Sequence, residues 1–245
     1  MKTLFRRCIL INFAVDPHAM SARLPDHLTA DLHGGSAYLS IVVAQMEDMR
    51  PAFLPGFMGV SYTQVVYRAV VRCGELRGVT FLRSDANNRL MVAAGNAMTF
   101  FRFHHADVQW QPKSRGVGFA LRPSDGAAAS ISADYTESDI PDALPSTSRF
   151  SSLTQAQSFL TELYCAFGNR RPDGRIEQVG IERSPWKGRV LEGDGAQYEA
   201  MSGGALFPVG AAELDSVFMV ENLHYHWQRL SLLPPDKRPP TQAPE

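Results

Sequence analysis

A mainly β domain with a few covering helices, either a barrel or a sandwich, is the fold this sequence predicts. Three observations predict it. Residues of β-branched and aromatic type gather in many short runs bounded by Gly, Pro, Asn or Asp. Only two or three segments carry helical periodicity. The 245 residues, 44% hydrophobic and 10% aromatic, suit one large domain that buries a sizeable core. Closing such a sheet removes exposed edges and leaves an interior lined by alternate residues of each strand.

Leu4 to Val15 reads as the first strand. A signal peptide is the competing reading of this start. The apolar run is short, however, and Asp16-Pro17-His18 stands where a small-residue cleavage site would be, so a buried strand is expected. Asp16 with Pro17 forms a helix-start signal, and the short helix ends at Pro25. His33-Gly34-Gly35 is a turn, Ala37 to Met46 a strand, and Pro51 to Gly59 a loop. Tyr62 to Arg72 and Val79 to Arg83 form a hairpin around Gly74 to Gly78. Asn88 to Phe101 is apolar nearly all round, which predicts a deeply buried helix.

Short strands are expected near Ala106 to Gln111, Gly116 to Arg122 and Ala127 to Ala133, and a loop from Asp134 to Ser148. The clearest helical pattern runs from Leu153 to Phe167, with Gly168-Asn169 to end it. Strands return at Ile176 to Arg183 and Asn222 to Leu232. One domain over residues 1–233 and a disordered tail over 234–245, with five prolines, complete the expectation. No run reaches the ~18 apolar residues of a membrane helix, and there is no internal repeat.

A net charge of −1 argues against nucleic acid or an anionic membrane as partner. Of the 24 basic residues only Lys2, Lys113, Lys187 and Lys237 are lysine, which narrows the options for amine chemistry. Cys8, Cys73 and Cys165 form no CxxC spacing, so reduced core thiols are expected, with a reactive thiol as the lesser reading. The glycines of MSGGALFPVGA fit no phosphate loop, and no GxSxG elbow occurs.

Alternation places Tyr62, Gln64, Val66 and Arg68 on one strand face. Facing inward, they would give a lumen a phenol, an amide and a guanidinium, and the last suits a carboxylate ligand. Facing outward, Arg68 would be solvated or paired with an acid such as Asp85. His104 and His105 are adjacent, so only one of them can enter a cavity, as general base or hydrogen-bond donor. The other reading of each is a histidine bonded to backbone. His224 and His226 share a face near Glu182, a weak metal pattern without a supporting motif, and no metal is expected. Glu182-Arg183 ends a strand, as a barrel-mouth pair or an ordinary surface pair.

The run LINFAVDPHAMSARLPDHLTADLHGGSAYLSIVVAQMEDMRP resembles the opening of the YqjF-like bacterial proteins. VTFLRSDANNRLMVAAGNAMTFFRFHHADV and FLTELYCAFGNRRPDGRIEQVGIERSPW look like their middle and later parts, so the likeness spans Leu4 to Leu232. The resemblance implies an acetoacetate decarboxylase-like closed β-barrel with a central cavity, often in a homo-oligomer, and it implies no activity. Where such decarboxylases carry a Tyr-Asn-Glu-like element, this chain has Tyr62-Thr63-Gln64. Where they carry Gly-Phe-Pro-Lys-Lys, the segment from Gly95 to His105 has no lysine. Schiff-base decarboxylation needs an amine of depressed pKa, which imidazole cannot replace. Lys113 falls in a turn, whereas Lys187 could reach a pocket mouth.

The expected protein is therefore cytoplasmic, needs no cofactor, and holds a small carboxylate- or carbonyl-bearing molecule in its lumen. Tyr62, Arg68, Glu182 and Lys187 are the candidate ligand contacts; Gln64, His104 and His105 are the candidate catalytic groups. Lyase- or hydratase-type chemistry and non-catalytic binding both remain open, and a proton-transfer group in the cavity would separate them.

Overall fold

The structure is a computed structural model that describes residues 1–140, 142–193 and 195–234. The Pro-rich tail predicted to be disordered therefore lies outside the described residues, Pro234 apart. The strands are β1 (Lys2–Val15), β2 (Thr29–Ala30), β3 (Ala37–Arg50), β4 (Val60–Cys73), β5 (Leu76–Ala86), β6 (Phe103–Lys113), β7 (Gly116–Pro123), β8 (Ile131–Glu137), β9 (Cys165–Arg170), β10 (Ile176–Arg183), β11 (Arg189–Glu192), β12 (Gln197–Tyr198) and β13 (Ala212–Leu233). The helices are α1 (Pro17–Ser21), α2 (Arg89–Met98), α3 (Leu153–Thr161) and α4 (Glu199–Ser202). No helix among the described residues is long and apolar enough to cross a membrane.

Strand pairing runs in a circuit. From β13 it passes through β1, β3, β4, β5, β9 and β10 and returns to β13. All its ladders are antiparallel except the β5–β9 contact, which is parallel and rests on Val79 opposite Ala166. A second sheet, β6–β7–β8–β11, bridges β5 to β13. One core cluster draws side chains from all seven circuit strands, including Leu10, Tyr38, Tyr62, Val79, Ala166, Ile181 and Tyr225, and α3 adds Leu153, Ala156 and Leu160. The other cluster joins the opposite faces of β1, β3 and β4 to β7 and β8 through Ile11, Ile41, Tyr67, Phe119 and Tyr135. Burial on both faces explains why β1 and β3 read as continuous apolar runs instead of alternating ones.

Gly78 makes the β5–β9 contact sterically feasible. A Cβ there would lie 2.4 Å from the Cys165 carbonyl oxygen and 2.7 Å from the Phe167 ring.

Two helical expectations are corrected. The helix predicted over 153–167 stops at Thr161, and Cys165–Arg170 pairs with β10 as a strand. Buried Leu163 and Phe167 extend the helical spacing by coincidence, since sheet pairing overrides local periodicity. Gly168 is not a helix cap; the Phe100 ring lies over it, 2.5 Å from where a Cβ would be. The second helix, α2, was expected deep in the core. It instead lies on the surface, with Leu90 and Met98 exposed and only Gly95 buried.

Candidate functional site

Asn88 caps α2 by accepting from the Met91 N–H. The chain then turns back through Arg102, whose φ is 46°, into β6. Asn96 pairs with the backbone of Phe103 through both its amide atoms. The Phe103 ring packs flat where Gly95 has no side chain; a Cβ there would meet it at 2.5 Å. The helix is thereby held over one end of the strand circuit and roofs a cavity of about 620 Å³. Met49, Met91, Phe81, Phe101, Phe103 and Trp227 give it an apolar lining.

Two polar groups sit at its floor, Tyr62 and Gln64. They stand opposite Met46 and Ala44 of β3, on the face of β4 that also carries Val66 and Arg68. The predicted inward orientation of this face is what the structure has. Tyr62 donates its hydroxyl to Gln64 Oε1 at 3.4 Å. Burial pushes the phenol pKa up, so it stays a proton donor. The amide oxygen is thus engaged, and Gln64 Nε2 is the donor it presents.

Below Gln64 the interior narrows to a void of about 40 Å³, bordered by Val66, Arg68, Val79 and Tyr225. Gln64, Phe81 and Trp227 border both spaces. Arg68 Nη2 donates to Leu160 O at 2.9 Å, while its Nε is buried without a hydrogen-bond partner. Desolvation, and to a lesser degree the like charge of Arg183, hold the Arg68 pKa below its ordinary value. Arg183 donates to the carbonyls of Ser184 and Thr161 and lies over the Tyr164 ring at 5.3 Å. Among the described residues neither arginine has a carboxylate at ion-pair distance. Asp85, the acid considered for Arg68, is fully buried against Arg83 at 2.7 Å instead.

At the rim, β10 and β13 set Glu182 opposite His226. His226, which lines the cavity, has Nδ1 3.1 Å from Glu182 Oε2; Gln228 donates to Glu182 Oε1 at 2.6 Å. The hydrogen bonds from Gln228 and His226 draw the Glu182 carboxyl below its ordinary range. His224 is exposed beside this pair, and the described residues contain no group of three His, Cys, Asp or Glu fit for a metal.

The remaining predicted site residues lie elsewhere. His104 Nδ1 is 3.0 Å from Asp125, and His105 Nδ1 is 2.7 Å from Ser124 Oγ, so neither lines the cavity. Phe103 takes the position over α2, and both histidines fall beyond it toward the β7–β8 turn. Lys187 is exposed in a groove with Ser151, Thr154 and Gln157. Sequence reasoning missed Trp227 and the methionines as cavity walls, and Arg183 as a partner of α3.

The sequence matches DUF2071, an uncharacterized conserved protein family, over residues 3–226. It is 22% identical over 187 residues to the uncharacterized protein YqjF of Bacillus subtilis (strain 168), covering 76% of this chain and 74% of that protein. Among solved structures, acetoacetate decarboxylase from Legionella pneumophila aligns with a TM-score of 0.63 at 10% identity, over 95% of this chain and 86% of that one. An acetoacetate decarboxylase-like enzyme from Sphingomonas wittichii RW1 aligns at 0.62 and 13% identity, over 93% and 90%. The enduracididine biosynthesis enzyme MppR complexed with pyruvate aligns at 0.58 and 12% identity, over 92% and 87%. At these identities the structural likeness carries the fold alone.

Proposed function

The chain belongs to the DUF2071 family, and from that premise we propose that it binds a small carboxylate- or carbonyl-bearing molecule inside a closed barrel formed by the seven-strand circuit. The observation that carries this reading is the inward face of β4. It sets Tyr62 and Gln64 in the floor of a cavity of about 620 Å³ and Arg68 below them, with no acid beside it among the described residues. A mostly apolar chamber with a few convergent donors is the usual form of a small-molecule site. One structural neighbour is complexed with pyruvate, a small keto acid, which supports this class of ligand.

Schiff-base decarboxylation is not the chemistry proposed. Lys113 is paired with Asp134, Lys187 lies in its surface groove, and the segment around Phe103 offers imidazoles but no amine. Borohydride treatment with acetoacetate or pyruvate, followed by peptide mass spectrometry, is the test. The expected result is no lysine adduct, together with saturable quenching of tryptophan fluorescence by a carboxylate. A reduced adduct on any lysine would overturn this reading.

The Glu182–His226 pair favours a second reading. A carboxylate on Nδ1 fixes the tautomer that leaves Nε2 as an acceptor, the arrangement of a general base. His226 is then the group that would move a proton on a bound carbonyl compound, as in hydration or enolisation. Exchange of the α-protons of a bound keto acid with deuterated solvent, read by NMR, tests it: loss in His226→Ala supports the role, and no exchange in the native protein removes it.

A further inference from the structure

The chamber and the space beneath it differ in width as well as depth. The upper space is walled by flexible thioethers and flat rings, among them Met49, Met91, Met98, Phe53 and Phe101. Such walls adapt to an irregular apolar body. The lower space, about 40 Å³, is a shaft between Val42, Val66, Val79 and Ile181. Among the described residues its one cation is Arg68, whose Nε is buried without an acceptor. A donor on an ionised group is among the costliest to leave unmade in the interior.

Resting on the reading of this cavity as a carboxylate site, we infer that its ligand is an extended, amphipathic monocarboxylic acid, unbranched beside the carboxyl group. The carboxylate passes Gln64 and meets Arg68 Nε, and the apolar body fills the chamber between Phe81, Trp227 and α2. The shaft has room for a small planar group or roughly three waters, and none for substituents on the carbon next to it. A short keto acid would occupy the shaft and leave the chamber unfilled. The chamber therefore selects for length, and the shaft selects against branching at the head.

The test is a calorimetric titration of hexanoate, octanoate, decanoate and dodecanoate against the full chain. Acetoacetate, decanol and an α,α-dimethyl decanoate serve as comparators. Affinity is expected to rise about fourfold per methylene, about 0.8 kcal/mol each, until the chamber is full. Decanol and the branched acid should bind at least about tenfold more weakly than decanoate, a difference of about 1.4 kcal/mol. Arg68→Met should lower decanoate to the level of decanol, but it also removes a bond to α3. Val66→Leu is the cleaner variant, since it fills the shaft and leaves that bond in place; it should have the same effect on decanoate with the thermal midpoint retained. Acetoacetate binding more tightly than decanoate would overturn this inference and leave the carboxylate reading standing. Decanol binding as tightly as every acid would sink both. A Val66→Leu protein that binds decanoate normally would overturn the placement of the head in the shaft.

Discussion

Arg68 in the middle of β4 donates Nη2 to the carbonyl of Leu160 at 2.9 Å, tying the strand wall to the last turn of α3. Arg77 and Arg183 take the adjoining carbonyls of Phe159 and Thr161. The last carbonyls of a helix lack partners within it and carry partial negative charge, so three guanidiniums satisfy three consecutive acceptors here. Arg68 thus has one nitrogen fixed by structure and one, Nε, unengaged. Arg68→Met retains much of the apolar stem and removes the bond, and should cost about 1–3 kcal/mol in a urea titration. Arg68→Lys should recover part of that. An unchanged midpoint in Arg68→Met would mean that the helix end does not need this bond.

The circuit depends on Gly78 at its narrowest contact. Alanine there would drive its Cβ into the Cys165 backbone, which cannot swing aside as a side chain could. Gly78→Ala should therefore destabilise the protein by about 3 kcal/mol, at the upper end of ordinary overpacking, although alanine restricts the unfolded chain. The same exchange at Gly74, where φ is 59° and no atom lies within 4 Å, should cost less. Equal losses at the two positions, measured by thermal unfolding, would refute the seam argument.

Strands were legible in the sequence because their residues report burial directly. The runs 4–15, 37–46 and 62–72 fall inside β1, β3 and β4, and period two correctly grouped Tyr62, Gln64 and Arg68. The helices were less legible. In α2 the apolar residues face a cavity as well as the core, so their all-round apolarity signalled a roof and not depth. After Thr161 the spacing of Leu160, Leu163 and Phe167 imitates a helix, while pairing with β10 and Val79, invisible locally, makes a strand. The site was half legible for the same reason. Adjacent His104 and His105 carry plausible chemistry, but their direction depends on how Phe103 packs on Gly95. The Glu182–His226 contact depends on a register between strands more than forty residues apart.

Alkaline pH should unfold the protein partly through Cys8. Burial pushes its thiol from the ordinary value of 9.0 up to about 12, against the opposing pull of Arg68 and Arg183. Below pH 9 the thiol is protonated in both states and makes no difference. Above that the unfolded chain loses the proton and the folded one keeps it, so stability falls as pH rises from 9 toward about 12. The limiting slope for one such group is about 1.4 kcal/mol per pH unit. Tyr225, also pushed up to about 12 by burial, adds its own loss in the upper part of the range. Cys8→Ala should flatten the stability–pH curve between pH 9 and 11 relative to the native chain. A parallel pair of curves would show that this thiol ionises freely in the fold.

Three histidine variants separate the cavity rim from the second sheet. His104 and His105 sit in partly exposed pairs with Asp125 and Ser124, and exposed ion pairs contribute about 0–1 kcal/mol. His104→Ala and His105→Ala should therefore shift the thermal midpoint only slightly and change carboxylate affinity less than about twofold, the effect of a distant exposed charge. His226 borders the chamber, and Glu182 orients it. With the carboxylate held at Arg68 as proposed, His226→Ala should leave its affinity largely intact, because His226 borders the chamber and not the shaft. A keto acid bound the other way round, with its carbonyl at the rim, is the case in which His226→Ala should abolish exchange at the carbon next to that carbonyl, and Glu182→Gln should reduce that exchange without altering affinity. If His104→Ala or His105→Ala abolished binding while the protein remained folded, the ligand would have to lie at the β7–β8 turn, and the cavity under α2 would not be the site.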